Sequence, residues 1–336
     1  MKLGSVVLFL GIVVGYALNG VSQDAIYSQF YNAPLQLNPA FTGKSYAPSF
    51  AINYRNQLPF FQSQLNTYST YSLSYDQFFP KLNSGFGMFV TGDDAGNGLI
   101  KTNKVSGLYS YRVRLSDELY VRGAVEVGLI SIRYNWDKFI FLDQIDPVTP
   151  GGAPVPSEEI APDRTAKNVM DISFGTLFYT SKFYAGVSWK HLNQPNVNIL
   201  NIRDNQNTFV GLPLRWSIHL GGQFDLDNNL SKKTFISPNV LFVKQGPFKQ
   251  LNAGAYIGFN TFFAGTWYRH TFGNADAVIA SVGAFSNGVK LSYSFDYTIS
   301  KLGIVNGGSH EFGILINLDN VVEAPSKYND CFELFR

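Results

Sequence analysis

The sequence predicts an all-β fold: a transmembrane, antiparallel, up-and-down β-barrel of about 14 strands, an even number that would place both termini in the periplasm. The first observation behind this is the stretch Val105–Arg133. Val105, Gly107, Tyr109, Tyr111, Val113 and Leu115 share one face, and Ser106, Leu108, Ser110, Arg112 and Arg114 the other. After the polar turn Ser116-Asp117-Glu118, Leu119, Val121, Gly123, Val125, Val127 and Leu129 point one way, and Tyr120, Arg122, Ala124, Glu126 and Gly128 point back. Side chains alternate faces along a strand, so a two-residue period separates an apolar surface from a polar one. Both runs reach the roughly 9–11 residues that a transmembrane strand needs, against about 5–6 in soluble sheets. Arg112, Arg114, Arg122 and Glu126 would be costly in a packed apolar core. A polar barrel interior accepts them.

The second observation is composition. Of 336 residues only 15% are charged, 15% are aromatic, and there are 31 Gly. Such a chain suits a barrel that shows rings to lipid and turns tightly at its rims. The net charge of +2 gives no basis for nucleic-acid binding. The single cysteine, Cys331, excludes an internal disulfide framework and a Cys-rich metal site. The third observation is the start. Lys2, the apolar run Val6–Ala17 and the small residues of Gly20-Val21-Ser22 read as a signal peptide over residues 1–22, cut before Gln23. No cysteine stands at the cut, so a lipoprotein is not expected. No long apolar run follows, which excludes a helical membrane protein. Export together with amphipathic strands points to the outer membrane, where a closed barrel satisfies every backbone group.

Residues 23–46 show Asn32, Pro34, Asn38 and Pro39 but little alternation, and read as an ordered, non-strand lead-in on the periplasmic side. The barrel spans 47–318. Ser49–Arg55 alternates Phe50, Ile52 and Tyr54; Leu65–Asp76 sets Tyr71, Leu73 and Tyr75 against Thr70, Ser72, Ser74 and Asp76; Gly85–Thr91 carries Phe86, Met88 and Val90 before a Gly/Asp loop at Gly92–Gly98. The opening hairpin follows. After a long loop, Trp136–Lys167, come Val169–Tyr179, with Asp171 and Ser173 on its polar face, and Phe183–His191, with Ser188 and Lys190 on its polar face. A second long loop, Leu192–Gly211, precedes Leu212–Phe224, which sets Arg215, Ser217 and His219 inward. In Thr234–Lys244, Pro238 predicts a bulge or a strand end. Leu251–Phe259, Phe262–His270, Ala277–Phe285, Val289–Tyr297 and Ser309–Leu318 complete the set, the last two placing Asp296 and Glu311 inward. A polar tail, 319–336, is expected in the periplasm. Connections at Asp117, Ser181, Asn260 and Asn287 are short and fall on the periplasmic side, while the longest fall outside.

No catalytic, cofactor or metal constellation emerges. His191, His219, His270 and His310 lie on different strands without metal spacing, and Gly92-Asp93-Asp94 lacks the ligand spacing of a calcium loop. The expected lumen charges are Arg112, Arg114, Arg122, Glu126, Asp171, Lys190, Arg215, Asp296 and Glu311. Arg112 falls opposite Arg122 across the hairpin, so their acidic partners should come from elsewhere, among Glu126, Asp171, Asp296 and Glu311. These charges either line a pore or form a salt-bridge network filling a closed barrel, and the network is the expected reading; the modest interior makes protein translocation through it sterically implausible. Trp136, Tyr184, Trp189, Trp216, Trp267 and Tyr297 read as interfacial girdles.

The segment QDAIYSQFYNAPLQLNPAFTG, with Leu37-Asn38-Pro39-Ala40-Phe41-Thr42-Gly43 at its end, resembles the opening of the PorP/SprF family of the Bacteroidetes type IX secretion system. Tyr54-Arg55-Asn56-Gln57, Tyr293–Thr298 followed by Gly308-Ser309-His310-Glu311, and a cysteine near the C-terminus also look like that family; Phe332 after Cys331 departs from its usual Cys-Pro-type ending. The resemblance implies an outer-membrane component of protein secretion and gliding, non-enzymatic and without a cofactor. Its implied partners are a secreted adhesin or its C-terminal sorting domain, and ring components of the secretion machine, with outer-membrane lipid around it and no nucleic acid. The alternative is a porin for small solutes or hydrophobic compounds.

Overall fold

The computed structural model describes residues 24–59, 68–144, 156–199, 211–226, 234–273, 276–299, 307–318, 330–332 and 335. The expected signal peptide and its cut lie outside these residues, as do parts of both long loops and most of the tail.

Fourteen antiparallel strands form the wall. They are β1 (Ser49–Gln57), β2 (Tyr68–Phe79), β3 (Ser84–Ala95), β4 (Ile100–Arg114), β5 (Tyr120–Tyr134), β6 (Ala166–Tyr179), β7 (Phe183–Lys190) and β8 (Arg215–Gly222, resuming at Phe224–Asp225). The wall continues with β9 (Thr234–Gln245), β10 (Phe248–Phe259), β11 (Phe262–Thr271), β12 (Ala277–Ser286), β13 (Val289–Thr298) and β14 (Ser309–Asn317). Each pairs with its sequence neighbours, and β14 closes on β1 from Ser49↔Asn317 to Gln57↔Ser309. The rim at Ser49 and Asn317 is called the near rim here, the opposite one the far rim. Both long connections, β5–β6 and β7–β8, leave from the far rim.

Alternation sets which way each strand faces. On β5, Val125, Val127 and Leu129 are exposed on the outer face, while Ala124 and Glu126 are buried in the lumen. β4 and β5 run 15 residues each and outrun the bilayer. The Gly/Asp loop expected at Gly92–Gly98 shrinks to a turn after Ala95. β3 continues through Gly92 because the Tyr71 ring of β2 lies over it, and a Cβ there would come within 2.1 Å of that ring. Pro238 neither ends β9 nor shifts its register. Pairing with β8 holds at Asn239↔Gly221 and again at Ile236↔Phe224, with a gap between them where proline has no N–H to give.

The lead-in is not a periplasmic extension. It lies inside the barrel, with α1 (Pro34–Leu37) and a 3₁₀ turn (Pro39–Phe41), and Tyr31, Leu35, Ala40 and Phe41 are wholly buried. From Tyr27 to Ser45 nearly every residue is buried, so there is no exposed face to alternate with a covered one. It begins at the far rim, where the Asp24 amide donates to Gln245 (3.0 Å), and reaches the near rim, where Ser45 donates to Asn317 (3.0 Å). Strand parity puts Ser49 and Asn317 together, but the threaded lead-in carries Asp24 to the opposite rim. The termini themselves lie outside the described residues. The tail also departs from expectation: Cys331, Phe332 and Phe335 are buried against Phe41 rather than forming a polar extension. The largest buried cluster thus lies in the lumen, between plug, tail and inner wall.

Candidate functional site

The plug is held at three levels. Nearest the near rim, the Leu37–Gly43 element is an assembly of local caps and long-range bonds. Asn38 Oδ1 accepts from the Ala40 amide (2.9 Å), capping the 3₁₀ turn that Pro39 opens with its fixed φ. Its Nδ2 reaches the carbonyls of Thr176 (3.0 Å) and Val187 (3.2 Å) and Nε2 of His219 (2.9 Å). Ser188 donates to the Leu37 carbonyl (2.9 Å). The Thr42 carbonyl accepts from Ser110 (2.8 Å) and Arg122 (3.1 Å). Gly43 has φ +76°, and a Cβ on it would sit 2.8 Å from Gly85 Cα, so only glycine fits. Asp76 takes the Gly43 amide (3.0 Å) and pairs with Lys44.

A second level is built on Arg55, which pairs with Asp296 (2.9 Å) and Glu311 (3.1 Å), while Arg269 shares Asp296 (2.9 Å). Glu311 accepts the backbone amides of Ser28 (2.8 Å) and Gln29 (2.9 Å), so the wall's charge grips the plug's main chain. The third level, towards the far rim, is a chain of alternating charges. Lys190 meets Glu126 (3.0 Å), which meets Lys104 (2.7 Å), which meets Asp171 (2.6 Å). Asp171 meets His191 Nδ1 (2.8 Å), whose Nε2 meets Asp24 (2.8 Å), which meets Arg215 (3.1 Å). Burial opposes the charge on His191, but the Asp24 carboxylate and the bonds to Asp171 and Asp24 prevail and raise its pKa to about 9. Burial likewise opposes the charge on Asp24, and the charge and hydrogen bond of His191, with Arg215 and Lys104, hold it well below the usual carboxylate range. Beside this chain lies a cavity of about 120 Å³, lined by Tyr27, Gln36, Asp93, Lys104 and Arg215 among others.

Of the charges expected in the lumen, Arg122, Glu126, Asp171, Lys190, Arg215, Asp296 and Glu311 are buried there. Arg114 is not: it is exposed at the near rim, bridging to Asp117 in the turn (2.8 Å), because it is the last residue of β4. Arg112 does lie opposite Arg122. Neither forms an ion pair among the described residues. Arg112 donates to Tyr46 Oη (3.1 Å) and lies 4.1 Å from the Phe78 ring centre; Arg122 uses Thr42 and Tyr179. The acids expected to serve them stand higher in the lumen: Glu126 is four residues up β5 from Arg122, roughly 13 Å along the strand. Those acids pair with Lys104, Lys190, Arg55 and Arg269 instead. Trp189 and Trp216 face outward as register partners. Tyr184 and Trp267 do not join a girdle, being buried in the lumen against Phe41 and Tyr31. Their strand parity with Lys190 and Arg269 carried that signal. Asp24, Lys44, Arg55, Asp76, Lys104 and Arg269 were not anticipated as site residues. Lys104 and Asp76 had a signal, since Lys104 shares parity with Ser106 and Asp76 with Ser72 and Ser74. Asp24 and Lys44 had none, because the lead-in has no parity.

A family model described as type IX secretion system membrane protein PorP/SprF matches residues 19–315. No curated protein matches the chain. Among solved structures, it is similar to the outer membrane protein Omp33 of Acinetobacter baumannii, at 8% identity and TM-score 0.42 over 82% of this chain and 100% of that one. It is also similar to LpxR from Salmonella typhimurium, at 12% identity and TM-score 0.36 over 80% and 99%. A mutant porin of Rh. blastica follows at 7% identity and TM-score 0.35 over 81% and 98%.

Proposed function

The chain belongs to the PorP/SprF family of type IX secretion system membrane proteins, and from that premise we propose that it works in the outer membrane as a plugged, non-enzymatic docking barrel and not as a channel. The near rim then faces the periplasm, and the long connections of the far rim face outward. The barrel docks the C-terminal domain of a secreted adhesin for export or surface attachment, with periplasmic ring components of the machine as its second class of partner. The observation that carries this is the filled lumen. Residues 24–46 run from rim to rim, and buried ion pairs and main-chain hydrogen bonds fix them to opposite walls. A path for solute or protein would have to break these contacts together. Function then falls to the rims, where partners meet the protein.

The test combines two measurements on the purified barrel. In planar bilayers it should give no steady open current. In detergent it should retain an adhesin C-terminal domain or ring lipoproteins from the same secretion system. Large currents with no retained partner would return the porin reading.

A further inference from the structure

We infer that the near-rim end of the lumen is a peptide-docking socket for a segment carrying two aromatic side chains three residues apart, held closed by the chain's own Phe332 and Phe335. The socket walls are the rings of Phe41, Tyr179 and Tyr184. Phe335 stacks on Phe41 at 4.7 Å between ring centres and meets Tyr184 edge-on at 5.4 Å. Phe332 lies 4.9 Å from Tyr179, 5.5 Å from Phe41 and 5.8 Å from Tyr184. Both tail rings are buried to within 1% of their surface, and the Phe335 amide donates to the Phe332 carbonyl (2.9 Å), a turn that sets the two rings side by side.

The walls do not depend on the tail for their placement. Phe41 is fixed by the capped turn after Asn38, Tyr184 donates to Asn239 (2.6 Å), and Tyr179 accepts from Arg122 (3.3 Å). Aromatic anchors seated in a preformed pocket are the usual energetic centre of a recognition site. The occupant is joined to the end of β14 through residues 319–329, so it is present at an effective concentration on the order of millimolar. A free segment of the same chemistry at micromolar concentration is therefore excluded. A partner segment that is itself held at the near rim, presenting a Phe-x-x-Phe pattern like Phe332-Glu333-Leu334-Phe335, competes on equal terms. The identity of that partner rests on the docking function proposed above; the socket does not.

The test uses the full chain carrying Phe332→Ala and Phe335→Ala, with a fluorescent peptide of residues 325–336 as probe. The double variant should bind micromolar peptide, the unaltered chain should bind it at least about tenfold more weakly, and adding Phe41→Ala should abolish binding. A folded double variant that takes up no peptide overturns the proposal, as does equal uptake by the unaltered chain. Should that variant fail to fold, the unaltered chain is folded first and then cut within residues 319–329. The cut tail should then leave on dilution and be replaced by probe; a tail retained against excess peptide, or no uptake, overturns the proposal. Loss of peptide uptake with adhesin-domain binding intact removes the socket alone. Peptide uptake without adhesin-domain binding removes the docking function alone.

Discussion

Asn38 shows how much one amide can do in a filled lumen. It caps its own turn through Oδ1 and holds two wall strands and His219 through Nδ2. Asn38→Ala leaves the Ala40 amide and His219 without that partner, and such losses in buried sites cost about 1–3 kcal/mol each. Urea titration of the refolded barrel should show a loss of that order, and an unchanged midpoint would contradict this account of the residue. At the far rim the anchoring pair is Asp24 and His191. The folded pKa of His191, about 9, lies above its ordinary value of 6.5, so its contribution is full below pH 6.5 and fades as pH rises through 9. Asp24 is shifted down, so its contribution is present above its ordinary 3.8 and fades only as pH falls below that. The far-rim end of the plug should therefore be most resistant to limited proteolysis near pH 5–6.5 and open first on the alkaline side. Protection that rises towards pH 10 would contradict the pairing. Asn38 could be read from the family motif, but its work could not, since Thr176, Val187 and His219 stand far along the chain.

At the scale of elements, the wall was written in the sequence and the plug was not. A strand carries its facing in its parity, so β5 could be oriented from Val125, Glu126 and Val127 alone. That orientation is testable: Val125→Arg puts a charge on the outer face near the middle of β5, where arginine costs about 2–4 kcal/mol in a bilayer. Folding into lipid vesicles, followed by gel mobility without heating, should show this loss, and full assembly at no cost would reverse the facing. Residues 24–46 give no such reading because nearly all of Tyr27–Ser45 is buried, whichever way a side chain points. Aromatic rings were ambiguous for a related reason. Trp189 and Trp267 are alike as residues, but one faces outward and the other packs on Tyr31. Only parity with a neighbouring charge separates them. The turn after β3 is shorter than its glycines suggest, because Gly92 sits in a strand to make room for Tyr71.

For the whole molecule, the decisive question is whether plug and wall are one unit or two. The wall's own charges answer part of it. Lys104, Glu126, Lys190 and Asp171 pair with one another along β4 to β7 and need only Asp24 and His191 to continue towards the plug. Arg55, Asp296 and Glu311 also pair wall to wall, and meet the plug through Ser28 and the Gln29 amide. Asp76 and Arg215 would lose the plug partners Lys44 and Asp24, but the other wall pairs close on one another, so the wall should survive without its filling. A chain lacking residues 24–46 is thus expected to fold as a barrel with a water-filled lumen. In planar bilayers the intact protein should be silent and the shortened one should pass steady currents. Silence from both, with the shortened chain folded, would mean that other parts of the chain fill the lumen when the plug is gone. Currents from the intact protein would mean that the plug leaves the lumen at equilibrium, and the docking function would then have to be shared with conduction.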